Sequence, residues 1–234
     1  MTDVILVSNY SMKEELKEAL ESQGLNFYDL MIQDIHHIER YPIDDEYNTI
    51  IIQSANAIKK IDASNNHVYN AKYIYGIGPN CRGWIKRKFS LDCIIPDKDF
   101  SSAGLIQKII NDEFDLGKTL LLKGIGGKNT IENYLRSTGI DYKLCNVYER
   151  ILNEDNLNKV IKMTEHHVIV LGFSRSSIEP LLLSNYDNLK KTHFIVLDKS
   201  DEEIIKVDEA ASLTKLDDIY DIPDIIERIK EISE

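Results

Sequence analysis

The chain has 234 residues, 43% of them hydrophobic, a formal net charge of -11 and three cysteines. That length allows one large domain or two small ones around a buried core, and the negative field disfavours nucleic acid and anionic membranes, which leaves a small molecule as the expected partner. No apolar run approaches the roughly 18 residues of a membrane span, Met1 leads straight into a strand-like segment, and Cys81, Cys93 and Cys145 are too scattered for a disulfide framework or a zinc site, so a reduced, cytoplasmic protein is expected.

Short apolar runs alternate with helix-period segments, the pattern of βαβ units and a mainly parallel sheet. Asp3 to Ser8 reads as a buried strand; Ser11 and Glu14 form an S-x-x-E capping box, Leu16, Ala19 and Leu20 share one helical face, and Gly24 supplies a left-handed stop. Phe27 to Ile35 is extended, and the first crossing between lobes is placed around His36, His37, Tyr41-Pro42 and the acidic stretch Asp44 to Glu46. Asn48 to Ser54 is a second strand with a short helix from Ala55 to Ile61, and Lys72 to Gly78 a third, followed by Pro79, which a first helical turn tolerates.

The helix from Asn80 carries Trp84, Ile85 and Phe89 on its apolar side and Arg82, Lys86, Arg87 and Lys88 elsewhere. Leu91 to Ile95 reads as a strand closed by Pro96, Ser101 to Asn111 as a helix with Leu105, Ile106, Ile109 and Ile110 inward, and Lys118 to Lys123 as a buried strand. Gly124, Gly126 and Gly127 open a helix through Ile131 and Leu135 that stops at Gly139, after which Ile140 to Val147 is extended. The chain passes Asn153 to Asn158 and resumes with the strand His167 to Phe173, a helix from Ser176 through Leu183, the strand His193 to Leu197, a weak helix near Asp201, and a final helix whose Ile222, Ile225, Ile226 and Ile229 follow i, i+3, i+4, i+7.

Three strands end in small polar residues just before a helix: Gln53-Ser54-Ala55-Asn56, Gly78-Pro79-Asn80-Cys81, and Phe173-Ser174-Arg175-Ser176-Ser177. In parallel sheets ligands collect at the carboxyl ends of strands, where helix N-termini offer free N–H groups to anions; ordinary capping explains the same residues. Gly124-Ile125-Gly126-Gly127-Lys128 lacks the spacing of a phosphate loop and reads equally as a tight turn or as a place where backbone approaches a ligand. The adjacent histidines His36-His37 and His166-His167 point to opposite faces of extended backbone and no further ligand completes a set, so no metal is expected. Lys86-Arg87-Lys88 reads as a solvated helix face or as a guide for an anion.

Several of these pieces, in this order, resemble uroporphyrinogen-III synthase. YNTIIIQSANAI (Tyr47 to Ile58) is similar to the family's strand with a TS-x-x-A-V-like turn, and KYIYGIGPNC (Lys72 to Cys81) to its G-x-x-T-A turn. LLLKGIGGKNTIENYLRSTGIDYKLCNVYER (Leu120 to Arg150) resembles the strand, glycine turn, helix, following strand and closing V-Y, and HVIVLGFSRSSIEPLL (His167 to Leu182) the strand ending in F-S-x-S. The resemblance covers most of residues 1 to about 185, and the order of the motifs is its specific part.

The resemblance implies an α/β fold of two doubly wound parallel-sheet lobes joined by a two-stranded linker, the second lobe inserted into the first: residues 1–33 with 153–234, residues 46–146, and linkers 34–45 and 147–152. It implies a cofactor-independent lyase that cyclises hydroxymethylbilane to uroporphyrinogen III with loss of water and inversion of ring D, acting as a monomer. Tyr148 matches the family tyrosine proposed to assist hydroxyl loss. Substrate contacts are expected at Gln53, Ser54, Asn56, Gly78, Cys81, Arg82, Lys123, Gly124, Ser174, Arg175 and Ser176, largely through backbone amides. Gln53 and Cys81 replace family threonines, no arginine follows the first strand at Ser8-Asn9-Tyr10, and Asp198-Lys199 stands where an I-G-x-T-A turn is usual. A non-enzymatic relative that binds a tetrapyrrole or another small anion, and a nucleotide-binding regulatory module, are the alternatives.

Overall fold

A strand that is apolar at nearly every position must be covered on both faces, and Thr49–Ile52, Thr119–Gly124 and Val168–Gly172 are buried from end to end. The computed structural model describes residues 2–8, 12–39, 45–173, 175–184, 189–197 and 210–233, and in it such strands build two mainly parallel sheets of five strands each.

In chain order the elements are β1 (Asp3–Leu6), α1 (Lys13–Ser22), β2 (Asn26–Asp29), β3 (Gln33–His37), β4 (Thr49–Ile52) and α2 (Asn66–Asn70). There follow β5 (Tyr73–Gly76), α3 (Pro79–Phe89), α4 (Ser102–Asp112), β6 (Thr119–Gly124), α5 (Thr130–Ser137) and β7 (Tyr142–Leu152). The chain closes with α6 (Glu154–Met163), β8 (Val168–Gly172), α7 (Arg175–Ser184), β9 (Thr192–Leu197), β10 (Ser212–Leu216) and α8 (Ile222–Ser233). Two compact units result, residues 1–34 with 151–234, and residues 35–150, so the chain passes from one to the other within β3 and again within β7.

In the first unit the sheet order is β10-β9-β8-β1-β2, with these neighbours parallel. Side chains alternate between faces: Ile5, Val168, Val170 and Phe194 pack against α6 and α7, while Val4, Leu6, Ile169 and Ile195 pack against α1 and α8. The second unit repeats the plan as β5-β4-β6-β7, with β3 outside β7. There Ile50, Ile52, Leu120 and Leu122 meet α2 and α3, while Ile51, Tyr75 and Leu121 meet α4 and α5. Burying each such side chain stabilises by about 1.5–3 kcal/mol, which is why four-residue strands suffice. The fold class expected from the sequence, two doubly wound α/β sheets with the second interrupting the first, is the one found.

Details differ. Helix α1 starts at Lys13, with Met12 as a cap that makes no side-chain bond; Ser11, on which the expected capping box depends, lies outside the described residues. Gly24 and Gly139 do adopt positive φ (75° and 70°) after their helices. The expected helix from Ala55 to Ile61 is a single 3-10 turn, Ala55–Ala57, and the expected strand Leu91 to Ile95 is one bridge, Tyr75 to Ile94, because Pro96 ends pairing at once. Ile110, expected inside, is 48% exposed, whereas Leu105 and Ile109 are buried. Helix α6 and strand β10 were not expected; Asn153 caps α6 by accepting from Asn156 N at 3.0 Å. The segment near Asp201 and the Asp198-Lys199 turn lie outside the described residues.

Candidate functional site

In a doubly wound sheet the first strand lies inside, and the chain leaves it to one side and later returns on the other. Where the two directions part, the loops diverge and leave room for a ligand at the carboxyl ends of the strands. In the 35–150 unit that point lies between β4 and β6, where Gln53-Ser54 faces the loop after Gly124. Gln53 spans it: its Nε2 donates to Lys128 O at 2.8 Å.

Lys123 holds the same loop. It follows Leu121 on the face of α4 and α5, is 4% exposed, and its Nζ donates to Gly127 O (2.9 Å), Lys128 O (3.2 Å) and Asn129 Oδ1 (2.7 Å), with Glu132 at 3.8 Å. Burial pulls its pKa below the ordinary lysine value and Glu132 opposes the shift. An ammonium has three hydrogens to donate and these acceptors take them, so Lys123 shapes the loop beside Gly124. The loop is a tight turn in which Gly127 N donates to Gly124 O and Gly126 takes φ +73°.

Gly124 is where backbone is approached closely. In β7, Tyr148 is the register partner of Gly124, and its ring lies so near that a Cβ on Gly124 would fall 2.4 Å from Tyr148 Cζ. The ring is buried (2% exposed), and its hydroxyl oxygen accepts from Arg150 Nη2 at 3.4 Å, with the Arg150 guanidinium 5.4 Å from the ring centre. An oxygen occupied as acceptor on that side keeps its own hydrogen for donation. The His37 ring stands 6.5 Å away on β3. Burial and then the charges of Lys60, Lys59 and Lys88 hold His37 below the usual imidazole range.

The other expected positions divide. Ser54 follows β4 in extended backbone and its Oγ accepts from Asn56 N at 3.2 Å, so it caps the short turn that carries half-buried Asn56. Gly78 precedes α3, with Phe100 Cβ 3.1 Å from where its Cβ would be. The Cys81 side chain points into the core: it is 1% exposed, lies against Gly76, and burial pushes its thiol up to about 11. That leaves its backbone, the part expected from the sequence to meet a ligand, at the start of α3. Arg82 donates from Nε to Cys93 O at 3.0 Å and lines a shallow groove with Pro79, Lys86, Pro96 and Phe100.

Arg175 and Ser176 open α7 in the other unit; Ser174 lies outside the described residues, as do the side chains of these two. The parting point of that unit lies between β1 and β8, and the residue that spans it is one the sequence did not single out. Ser8 is 3% exposed, accepts from Phe173 N at 2.7 Å and shares a 2.6 Å bond with Ser177 Oγ. Its position as the last, polar residue of the buried run Asp3 to Ser8 was the available signal.

Of the two sheets, the one in the 35–150 unit carries a tyrosine seated on a glycine at its carboxyl edge. The family model described as Uroporphyrinogen-III synthase HemD matches residues 13–197. No curated protein matches the sequence. Among solved structures, a mutant uroporphyrinogen III synthase from Thermus thermophilus aligns at 11% identity with a TM-score of 0.65, over 99% of this chain and 98% of that one. Uroporphyrinogen-III synthetase from Helicobacter pylori aligns at 13% identity with a TM-score of 0.53, over 98% of this chain and 100% of that one. Such identities speak to fold alone; because the family model spans most of the residues, the chain belongs to the uroporphyrinogen-III synthase family.

Proposed function

We propose that this protein converts hydroxymethylbilane to uroporphyrinogen III, a step of tetrapyrrole biosynthesis. The terminal carbon–oxygen bond breaks as the hydroxyl takes up a proton and leaves as water, while the pyrrole nitrogen pushes electrons in to give an azafulvenium. The substituted carbon of ring D attacks it, a spiro intermediate forms and reopens, and ring D closes in inverted orientation with loss of one proton from carbon. One proton enters and one leaves, and nothing is oxidised or reduced, so the chemistry asks for no redox partner.

What the reaction demands is a donor for the departing hydroxyl and a surface that folds a flexible chain against its easier closure. The observation that carries the reading is Tyr148 on Gly124: its oxygen accepts from Arg150, which leaves the phenol hydrogen to donate to the departing hydroxyl. Ser54 and Gly78 follow β4 and β5, and Gly124 ends β6 beside them in the same sheet, so all three supply backbone at that edge. Arg175 and Ser176, which open α7, and Ser174 before them take substrate contacts in the other unit by the family resemblance, and the enzyme works as a cytoplasmic monomer.

The test is to supply freshly made hydroxymethylbilane and separate the oxidised products. The synthase gives mainly isomer III, and spontaneous closure gives isomer I. The inward-turned Cys81 and Lys123 favour a second reading, a binding protein of the same fold, which would bind the tetrapyrrole and leave isomer I as the sole product.

A further inference from the structure

The face of the 35–150 unit that α3 covers has a cationic cluster that the chemistry above does not use. Lys59 and Lys60 follow directly on the turn that Ser54 caps, and Lys88 comes in from the last turn of α3. Two of them are held: Lys88 Nζ donates to Lys59 O at 2.8 Å, and Lys59 Nζ sits 5.8 Å from the centre of the Trp84 ring, which Arg87 also covers at 4.6 Å, while Lys60 is exposed. The fields of these lysines converge on His37, the neighbour of Tyr148.

Charge balance makes the cluster unusual. The chain carries a net charge of -11, yet among the described residues none of these lysines has a carboxylate within ion-pair distance. Asp62, whose field reaches Lys88, is fully exposed. Lys59 is half-buried and burial alone pulls its pKa down, the mark of an ammonium that has lost water without gaining a counter-ion. A desolvated cation is costly unless an anion joins it, and the trans partner this site lacks is a carboxylate.

We infer that Lys59, Lys60 and Lys88 form a carboxylate subsite beside Tyr148 that receives an acidic side chain of the tetrapyrrole, an assignment that rests on the synthase reading above. The subsite reverses the global field locally and anchors the substrate near His37, whose ring stands 6.5 Å from that of Tyr148. It acts on binding, so its removal affects ground state and transition state alike.

The test uses the double variant Lys59→Met, Lys60→Gln, in which the methionine keeps the packing against Trp84. KM for hydroxymethylbilane should rise about tenfold with kcat within about twofold and isomer III retained, the pattern of lost uniform binding. Fluorescence titration with uroporphyrin, an octacarboxylate, should show a matching rise in Kd, and added salt should weaken the wild type more than the variant. Lys59→Arg should restore binding, and Lys17→Gln, an exposed change on α1, should do nothing. Unchanged KM and Kd in the double variant overturn the subsite. Should the double variant fail to fold, Lys60→Glu at an exposed position must raise both constants or the proposal falls. If the wild type yields only isomer I while its porphyrin affinity still depends on these lysines, the synthase reading fails and the subsite stands.

Discussion

Gly124→Ala adds one methyl group where the site has no room for it. The new Cβ would fall 2.4 Å from Tyr148 Cζ, 2.5 Å from Cε2 and 2.9 Å from the phenol oxygen. Non-bonded carbons settle at about 3.5–4.0 Å, so ring or strand must yield by about 1 Å. The backbone gives little, since β6 lies between β4 and β7 in the sheet, and the ring moves instead. Overpacking of this kind costs about 1–3 kcal/mol of stability, and a shift of about 1 Å in a catalytic group costs about a hundredfold in rate. Gly126→Ala is the matched control: its Cβ meets nothing within 4 Å, but φ +73° strains any side chain. It should lose about 1–2 kcal/mol of stability and keep kcat within about twofold. Initial rates of isomer III formation, with thermal unfolding of the same samples, separate the two effects. Wild-type kcat in Gly124→Ala, or an equal rate loss in Gly126→Ala, would refute the packing argument.

Tyr148→Phe should lower kcat by about a hundredfold or more, the usual size of a general-acid contribution, while product affinity stays unchanged; an unaltered rate removes the role given to its hydroxyl. Cys81, Cys93 and Cys145 are all buried, and burial pushes the first two thiols up to about 11 and about 12, so a thiol reagent should label the native protein negligibly and all three after denaturation. His37 and His193 are both held below the usual imidazole range, first by burial, then by Lys60, Lys59 and Lys88 for the one and by His167 for the other. The unfolded chain binds the extra protons, so the stability these neutral rings contribute is whole above about pH 6.5 and is lost as pH falls through their lower folded values. Replacing both by glutamine should flatten the fall in urea midpoint on acidification, and an unchanged slope would count against it.

The sheets were legible because buried parallel strands leave continuous apolar runs, as at Thr49–Ile52 and Val168–Gly172. Strand β10, Ser212–Leu216, was not, since it lies at the sheet edge, where only Leu216 is buried and the polar residues between carry no pattern. Helix α6 hid behind its own N-terminus: Asn153, Glu154 and Asp155 read as a crossing, though Leu157 and Val160 supply the helical face. At the site the turn positions could be read and the side-chain directions could not. The phase of β6 does place Lys123 with Leu121, on the side of α5, but that it curls back to its own loop depends on the carbonyls of Gly127 and Lys128, which sequence does not orient. Cys81 likewise fits the space above Gly76, which a longer residue at that strand end would fill.

Gln53 and Lys123 both grip the loop beside Gly124, and magnitudes decide which of them matters. Gln53→Thr, which restores the residue usual in the family, removes the bond to Lys128 O, a loss of about 0.5–1.5 kcal/mol. It also removes Gln53 Oε1, a buried acceptor with no partner among the described residues, whose desolvation costs about 1–3 kcal/mol. The two effects offset, so stability and kcat should stay near wild type. Lys123→Met keeps the buried stem but leaves Gly127 O and Asn129 Oδ1 without the ammonium, at about 1.5–3 kcal/mol for each charged hydrogen bond lost. The loop should loosen, Gly124 should no longer be held under the tyrosine ring, and kcat should fall with the unfolding midpoint. If Gln53→Thr proves the more damaging of the two, the loop is held from β4, and the support assigned to Lys123 is wrong.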